Sequence, residues 1–423
     1  MAEAVIACRG TGERGVEVRA MALVSAAHFV NHFQYLVLPP LFPLLKAELG
    51  IGFVELGFAL TVSSFVGVAA QLPVGYLVDH LGARRMLALG LLVAGLAYLG
   101  FGLAPSYSSL LLAMVFVGLA NSVFHPADYA ILSANVAPPR LGRALSVHTF
   151  AGFLGNAVAP MTMLALAAGA GLNVALMTAG VIALVVALPL VIARSVDADT
   201  VDAETGPSSA AAAIGARNGM MSILTPTILG LTGFFALMSL SGSGISNFSV
   251  VALTSAFGTS LSVTNVALTA YLTAQALGVL AGGFIADKTR RHAEVAAVGY
   301  AVNAGIVLAI GTAGFAAAPL ILAMSGAGFL GGLIMPSRDM LVRAAAPPGA
   351  MGRTFGIVTS GFSIGGMIGP LMFGLALDHG MPKAVFGISV VLMIAVAVVA
   401  LVSDRRAAAR RRQIPMRAAA PAD

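Results

Sequence analysis

The chain has 423 residues, of which 59% are hydrophobic and 9% are charged, and its net charge is +6. Soluble globular chains carry about 25% charged residues, so a chain this long and this apolar could not cover its own surface in water. The composition excludes a secreted disulfide scaffold, a disordered protein and an ordinary cytosolic enzyme, and it indicates an all-α membrane protein.

Twelve apolar segments are long enough to cross a bilayer, because a hydrocarbon core of ~30 Å requires roughly 20 residues of helix. The first segment is not a cleaved signal peptide, since it is too long and ends in Pro39, Pro40 and Pro43 rather than in a small-residue cleavage site. The predicted spans are approximately 20–45, 55–78, 86–104, 109–134, 143–168, 172–193, 226–252, 264–286, 294–314, 318–342, 355–377 and 383–402.

The basic residues predict the orientation of these spans. When both termini are placed on one side of the membrane, all of the 23 Lys and Arg residues except Lys46 and Lys383 fall on that side. Basic loops stay in the cytoplasm, so both termini are predicted to be cytoplasmic. The basic charge is then an orientation and headgroup anchor rather than a nucleic-acid surface. The excess of Arg over Lys and the many Ala residues indicate a bacterial source, and hence the inner membrane.

The second half of the chain repeats the first. Gly118 and Pro126 are matched by Gly328 and Pro336, at an offset of 210 residues. Six spans are therefore followed by six more in the same orientation, and two such bundles can enclose a cavity near the membrane midplane, as in transporters. The predicted divisions are an N-terminal arm at 1–19, a six-helix bundle at 20–193, a cytoplasmic linker at 194–225, a second bundle at 226–402 and a basic tail at 403–423.

The loop between spans two and three, residues 75–85, reads GYLVDHLGARR. It resembles the cytoplasmic signature loop of the major facilitator superfamily, and a degraded copy lies at 283–291, between spans eight and nine. The resemblance implies the major facilitator fold, with twelve transmembrane helices as two parallel six-helix pseudo-repeats. The matching positions are Gly75, Asp79, Gly82, Arg84 and Arg85.

Within the superfamily, residues 122–126 (SVFHP), together with His28 and Asn31, resemble the fosmidomycin-resistance group of efflux proteins. Two positions depart from the related patterns. Met114 stands where drug antiporters usually carry Arg, and His32 stands where the efflux group commonly has Asp. Both departures argue against a carboxylate-based antiport mechanism. The resemblance implies a secondary active transporter that moves a small organic solute by alternating access, with proton-coupled efflux as the first hypothesis.

Two other functions stay open. The first is an uptake permease for a small organic acid, in which Arg338 could meet the anion. The second is a non-transporting sensor or scaffold, although the linker and the tail are too short for an added domain. The sequence shows no phosphate-binding loop, zinc-spaced cluster or catalytic set, so no enzyme activity, cofactor or metal is predicted. The expected partners are a small-molecule substrate, the bilayer and protons, with no nucleic acid, and the protein is expected to be a monomer.

Polar side chains from five spans are predicted to converge near the bilayer midplane. A helix rises about 1.5 Å per residue, so His32 and Asn121 lie ~18 Å along their spans and Gln275 lies ~16 Å along its span. For each such residue, an interhelical hydrogen bond is the alternative to a cavity-lining role. The Ser- and Gly-rich run at 239–246 favours a locally broken helix in span seven. The predicted cavity residues are Asn31, His32, Tyr35, Asn121, Asn156, Ser241, Ser243 and Gln275.

Four histidines within the spans are the predicted proton carriers. Histidine titrates near pH ~6.5, and the depth estimates place no carboxylate at the midplane. Neutral histidines that only pack against their neighbours are the alternative. The four are His28, His32, His125 and His148.

Charged residues near the cytoplasmic ends of the spans are predicted to form a gate. Asp128 and Arg338 are repeat mates, and the helix rise places each of them ~28 Å from the outer surface, near the cytoplasmic interface. Contacts with substrate or protons, and snorkelling anchors, are the alternatives. The predicted gate residues are Asp79, Arg84, Asp128, Asp287, Arg291, Arg338 and Asp339.

Overall fold

The structure of the chain is a computed structural model. Its backbone is described for residues 2–192, 225–347 and 351–418. Its side chains are described for residues 14–71, 73–192, 225–347 and 354–402. The predicted linker, apart from Thr225, and the side chains of the predicted basic tail lie outside the described residues, and the division into domains stays a prediction.

Twelve long helices and one short helix make up the described part of the chain, which confirms the predicted all-α fold. Eleven of the long helices in these ranges are long and apolar enough to cross a membrane. The twelfth is the first, which is less apolar because it carries His28, Asn31 and His32. The helices are α1 (Ala2–Tyr35), α2 (Phe42–Leu49), α3 (Phe53–Leu81), α4 (Ala83–Leu103), α5 (Tyr107–Asn135), α6 (Pro138–Ala170), α7 (Leu172–Ile192), α8 (Pro226–Phe257), α9 (Leu261–Lys288), α10 (His292–Ala313), α11 (Ala317–Ala345), α12 (Met351–Asp378) and α13 (Ala384–Ala418).

The first span ends earlier than predicted. Its helix stops at Tyr35 rather than near residue 45, and a 3-10 turn at Pro39–Leu41 leads into the short helix α2. Proline has no backbone N–H and clashes with the preceding turn of a helix, so the two consecutive prolines end α1. Gly50 caps the end of α2. Its backbone is left-handed (φ 65°), and its N–H donates a hydrogen bond to the Lys46 carbonyl.

The Ser- and Gly-rich run at 239–246 does not break its helix, because α8 is continuous through it. The Ser241 hydroxyl donates to the Met238 carbonyl of the same helix (2.9 Å), and the Ser239 hydroxyl donates to the Phe362 carbonyl of α12 (2.8 Å). Hydroxyls that are satisfied in this way need no break, and small side chains let two helices approach closely. The predicted local break in span seven is therefore wrong.

The two six-helix halves meet along two pairs of helices, α3 with α12 and α6 with α9. These pairs are equivalent under the sequence repeat, since spans two and five of the first half meet spans eleven and eight of the second. We call the end of the bundle that carries Arg84, Arg140 and Arg291 the basic end, and the opposite end the Lys46 end.

Apolar packing joins the halves at the Lys46 end. A single cluster of buried residues there contains Phe33, Phe42 and Phe53 of the first half together with Phe248 and Phe373 of the second. Another cluster, at the basic end of the first half, is formed among the described residues by that half alone. The halves are therefore closed together at the Lys46 end, and their cores are separate at the basic end.

The basic end of α1 is fixed to the start of α6. The Glu17 carboxylate accepts hydrogen bonds from the Arg140 guanidinium (2.6 and 2.9 Å) and from the Ala137 N–H (3.0 Å). The hydrogen bonds from Arg140 and Ala137 lower the pKa of Glu17, because they favour its ionised form. This anchor holds α1 alongside α6, and both helices contribute histidines to the site described next.

Candidate functional site

Histidines from three helices of the first half surround one buried carboxylate. His28 Nδ1 on α1 lies 3.2 Å from Asp128 Oδ2 on α5, and His148 Nε2 on α6 lies 3.6 Å from the same oxygen. These three residues are 4%, 0% and 2% exposed, respectively. The His28 ring also lies 4.5 Å from the ring of His32 and 5.7 Å from that of His125, between centroids. We call these five residues the histidine cluster.

Glycines on α6 make the space that the cluster occupies. A Cβ added to Gly152 would lie 2.7 Å from His28 Cδ2 and 3.0 Å from His32 Cδ2. One turn of helix further on, a Cβ at Gly155 would lie 2.2 Å from the Phe29 carbonyl oxygen. Real Cβ atoms do not approach so closely, so both positions require glycine for α6 to pack against α1.

Two hydrogen-bonded pairs of side chains continue the cluster towards the Lys46 end. Asn31 Nδ2 donates to Asn121 Oδ1 (2.9 Å), and Asn156 Nδ2 lies 3.1 Å from His32 Nδ1. The Tyr35 ring lies 5.5 Å from the His32 ring and is 47% exposed. The structure thus brings the five predicted cavity residues of the first half together. The amide pair between α1 and α5 is also the interhelical hydrogen bond that the sequence offered as the alternative.

In the second half, the described contacts of the predicted cavity residues lie within that half. Ser241 is buried and bonded within α8, and Ser243 accepts a hydrogen bond from Asn247 Nδ2 (3.1 Å). Gln275 is half-buried, and its Nε2 lies 3.8 Å from the position of a Cβ on Gly331 of α11. Their role in lining a cavity stays a prediction.

The predicted gate residues of the first half have different surroundings. Asp79 is exposed at the basic end. Arg84 is buried and donates to the carbonyls of Leu190 and Val191 at the end of α7. Asp128 lies in the histidine cluster, and its depth near the cytoplasmic interface stays a prediction. Depth along a single helix does not reveal what the neighbouring helices bring to that level.

The gate residues of the second half form local pairs. Arg291 is exposed and lies 3.3 Å from Glu294 Oε2, and Arg338 Nε donates to Asp339 Oδ1 (2.9 Å). Asp287 is exposed. Because the cores of the halves are separate at the basic end in this conformation, a gate that closes this end in another conformation stays a prediction.

Sequence reasoning missed the position of Asp128 relative to the histidines, although one signal was available. Asn121, His125 and Asp128 are spaced i, i+4 and i+7, so they share one face of α5. The polar face of α1 contains His28, but the sequence does not show that the polar faces of α1 and α5 meet.

A charged contact closes the Lys46 end across the two halves. The Asp378 carboxylate at the end of α12 accepts hydrogen bonds from the N–H groups of Phe53 (2.9 Å) and Val54 (2.8 Å), which begin α3. Lys46 Nζ lies 3.2 Å from the same carboxylate. A carboxylate at a helix N-terminus satisfies free N–H groups and interacts favourably with the helix dipole.

We expect Asp378→Asn to weaken this closure, because the side chain keeps one acceptor but loses its charge. A loss of about 1–2 kcal/mol would change the balance of closed and open conformers about 5–30-fold. Glu48 and His379 are exposed on opposite halves. Double electron–electron resonance between spin labels at these two positions should report longer distances in Asp378→Asn than in the unchanged protein.

The matched control is Lys383→Gln. This change also removes a charge at the Lys46 end, but Lys383 lies over the Phe257 ring of its own half (5.1 Å). The Asp378 contact would not hold the Lys46 end closed if the distance distribution were unchanged in Asp378→Asn. The same conclusion would follow if Lys383→Gln changed the distribution equally.

Comparison with known proteins identifies the family of the chain. The model of the Major Facilitator Superfamily matches residues 24–241 and 229–422. The fosmidomycin resistance protein of Escherichia coli is 26% identical over 382 residues, which cover 87% of this chain and 88% of that protein. The MFS-type transporter YfnC of Bacillus subtilis is 28% identical over 141 residues, a match that covers 33% of this chain and 34% of YfnC.

A solved structure shares the fold. A bacterial homologue of the human lysosomal transporter Spinster, in an inward-facing and occupied conformation, superposes with a TM-score of 0.74 at 15% identity, over 92% of this chain and 97% of that one. The family match spans both bundles, and the relatives are transporters, one of them named for drug resistance. The chain therefore belongs to the Major Facilitator Superfamily, and it is a membrane transporter rather than an enzyme.

Proposed function

We propose that this protein exports a small organic solute from the cytoplasm by alternating access, driven by the proton gradient. The observation that carries the proposal is the histidine cluster. Ionisable groups are costly inside a membrane and mark ion pathways there. Here a fully buried carboxylate lies against two histidines, within the half that carries most of the predicted cavity residues.

The charge distribution supports the orientation of the protein in the membrane. If the basic end is cytoplasmic, as the arrangement of Lys and Arg favours, the Lys46 end faces outwards, and both termini lie on the cytoplasmic side of the inner membrane. The closed Lys46 end then belongs to an inward-facing conformation, which can receive a solute from the cytoplasm. In the opposite conformation the exposed residues Asp79, Asp287 and Arg291, with Arg84, Arg338 and Asp339, would close the basic end as a gate.

The cluster offers a route for protons. His125 is exposed, its ring lies 5.7 Å from that of His28, and the His28 ring lies 3.8 Å from that of His148. His32 is half-buried on the other side of His28. Imidazoles can carry protons near neutral pH, so these four histidines would pass protons between the open basic end and Asp128.

The substrate class follows from the polar groups around the cavity. The side chains next to the cluster are amides and a tyrosine, which suits a neutral or amphipathic solute. The name of the fosmidomycin resistance protein suggests that compound as a first test substrate. The protein would act as a monomer, and a role as a sensor or scaffold remains the less favoured alternative.

One observation favours uptake of a small organic acid as a second candidate. The Arg338 guanidinium lies 4.8 Å from the Phe235 ring and 5.1 Å from the Phe362 ring, so a cation is held inside the second half. It already binds Asp339 within the chain, and an anionic substrate would have to compete with that carboxylate.

The test combines a resistance screen with transport in vesicles. A host that overproduces the protein should tolerate a higher concentration of at least one compound in a panel that includes fosmidomycin. Inside-out vesicles should accumulate that compound when their interior is acidified, and an uncoupler should abolish the accumulation.

Replacement of His28, His32, His125 and His148 together by Gln tests the proton carriers, and this variant should lose the dependence on the pH gradient. Retained pH dependence would refute their role. Accumulation of small carboxylates by right-side-out vesicles, without export of any compound, would instead support uptake.

A further inference from the structure

Three potential metal ligands meet inside the membrane region, although they are far apart in the sequence. His28, Asp128 and His148 come from α1, α5 and α6, and one donor atom of each lies within 4.8 Å of the others. We propose that these three residues bind a divalent transition-metal ion of the Zn²⁺ class. Spacing motifs could not reveal such a site, because each ligand belongs to a different helix.

Two of the three distances between the ligand atoms match those around a small metal ion. In tetrahedral zinc sites, imidazole nitrogens and carboxylate oxygens lie at about 2.0–2.2 Å from the metal, so neighbouring ligand atoms are about 3.3–3.6 Å apart. In this structure Asp128 Oδ2 lies 3.2 Å from His28 Nδ1 and 3.6 Å from His148 Nε2. The two imidazole nitrogens lie within 4.8 Å of one another, so they would have to move towards each other for one ion to reach all three atoms.

The polar atoms at this place lack partners within the described part of the chain. Both carboxylate oxygens of Asp128 and Nδ1 of His28 are buried and make no hydrogen bond of acceptable geometry. Buried polar groups are normally satisfied, and those that are not indicate a missing ion, water or proton. A metal ion would satisfy the Nδ1 atom and the carboxylate at once.

The donor set selects the class of metal. Two imidazoles and one carboxylate suit zinc and its transition-metal neighbours, whereas Mg²⁺ and Ca²⁺ prefer oxygen ligands alone. Three protein ligands leave a fourth position open for water or for another side chain. His125 is exposed, and its ring lies 5.7 Å from that of His28.

This inference depends on donor geometry and not on the proposed transport function. A metal ion and a proton would use the same atoms, so the two occupants would exclude one another. Metal binding is measured on purified protein without a proton gradient. A protein that binds no metal could therefore still export by proton coupling, and a protein that binds metal could lack export.

The experiment is metal binding to the full-length protein in lipid nanodiscs, after removal of any histidine tag. Equilibrium dialysis with Zn²⁺ should give one bound equivalent, and Co²⁺ at the same site should give the intense visible absorption of a tetrahedral complex. Asp128→Asn and His148→Ala should each weaken binding by more than the ~10–100-fold expected from loss of an outer-shell partner. The control, His379→Ala, removes an exposed histidine at the Lys46 end, whose Nδ1 bonds to the Leu375 carbonyl.

X-ray absorption on the wild-type zinc complex makes the test independent of whether the variants fold. It should show two imidazole nitrogens and one carboxylate oxygen. A sulfur ligand at about 2.3 Å would point to Cys8 and overturn the site. The absence of a bound equivalent in the wild type, unchanged binding in Asp128→Asn, or loss of binding in His379→Ala would also overturn it.

Discussion

Asp128→Asn is expected to abolish accumulation against a gradient while it preserves exchange of substrate between the two sides. Asp128 is the only buried carboxylate among the side chains that the structure describes, and it contacts His28 and His148. If protons bind there during the cycle, an amide of the same shape removes the binding step but leaves the packing of α5 nearly unchanged. Alternating access itself would continue, because it needs only the movement of the two halves.

The measurement uses inside-out vesicles and one exported compound found in the resistance screen. Accumulation driven by an imposed pH gradient should fall to the level of protein-free vesicles, whereas counterflow of labelled against unlabelled compound should persist. Glu48→Gln is the matched control, because Glu48 is exposed at the Lys46 end and outside the cluster. Full gradient-driven accumulation in Asp128→Asn would show that Asp128 is not the coupling residue.

The sequence predicted the fold well because the bilayer imposes strong rules on it. The length of the spans, the distribution of Arg and the 210-residue offset of Gly118 and Gly328 led to two six-helix bundles, which the structure and the family match confirm. The errors were local. The apolar residues beyond Tyr35 predict a longer first span than the prolines allow, and the Ser/Gly run predicts a break that is not needed, because neighbouring carbonyls accept hydrogen bonds from its hydroxyls.

The site was predicted less completely, for a physical reason. Helix periodicity and depth could select the polar faces of α1 and α5, and the structure brings those residues together. Neither property specifies which helices are neighbours, so the contacts of Asp128 with His28 and His148 could not be derived. The glycines that permit them, Gly152 and Gly155, are two of 49 in the chain, and only the crossing of α1 and α6 shows why they matter.

Gly57→Val should open the Lys46 end. A Cβ at Gly57 on α3 would lie 2.3 Å from the Pro370 carbonyl oxygen of α12, across the interface between the halves. The three nearest atoms all belong to the backbone of α12, so they cannot move aside as a side chain could. Overpacking of this kind costs about 1–3 kcal/mol. The clash affects only the conformation in which this end is closed, so the balance should shift towards the opposite conformation by about 5–150-fold.

The reporter is the Thr61→Cys variant in a background that lacks Cys8. The Thr61 hydroxyl donates to the Met367 carbonyl across the same interface (2.7 Å), so a thiol at this position is half-buried between the halves while the Lys46 end is closed. A membrane-impermeant maleimide added on the Lys46 side should react faster when Gly57→Val is present. Gly100→Val is the control, because a Cβ at Gly100 meets no atom within 4 Å. Equal labelling in both variants would mean that α3 and α12 do not separate during the cycle, and alternating access would need another hinge.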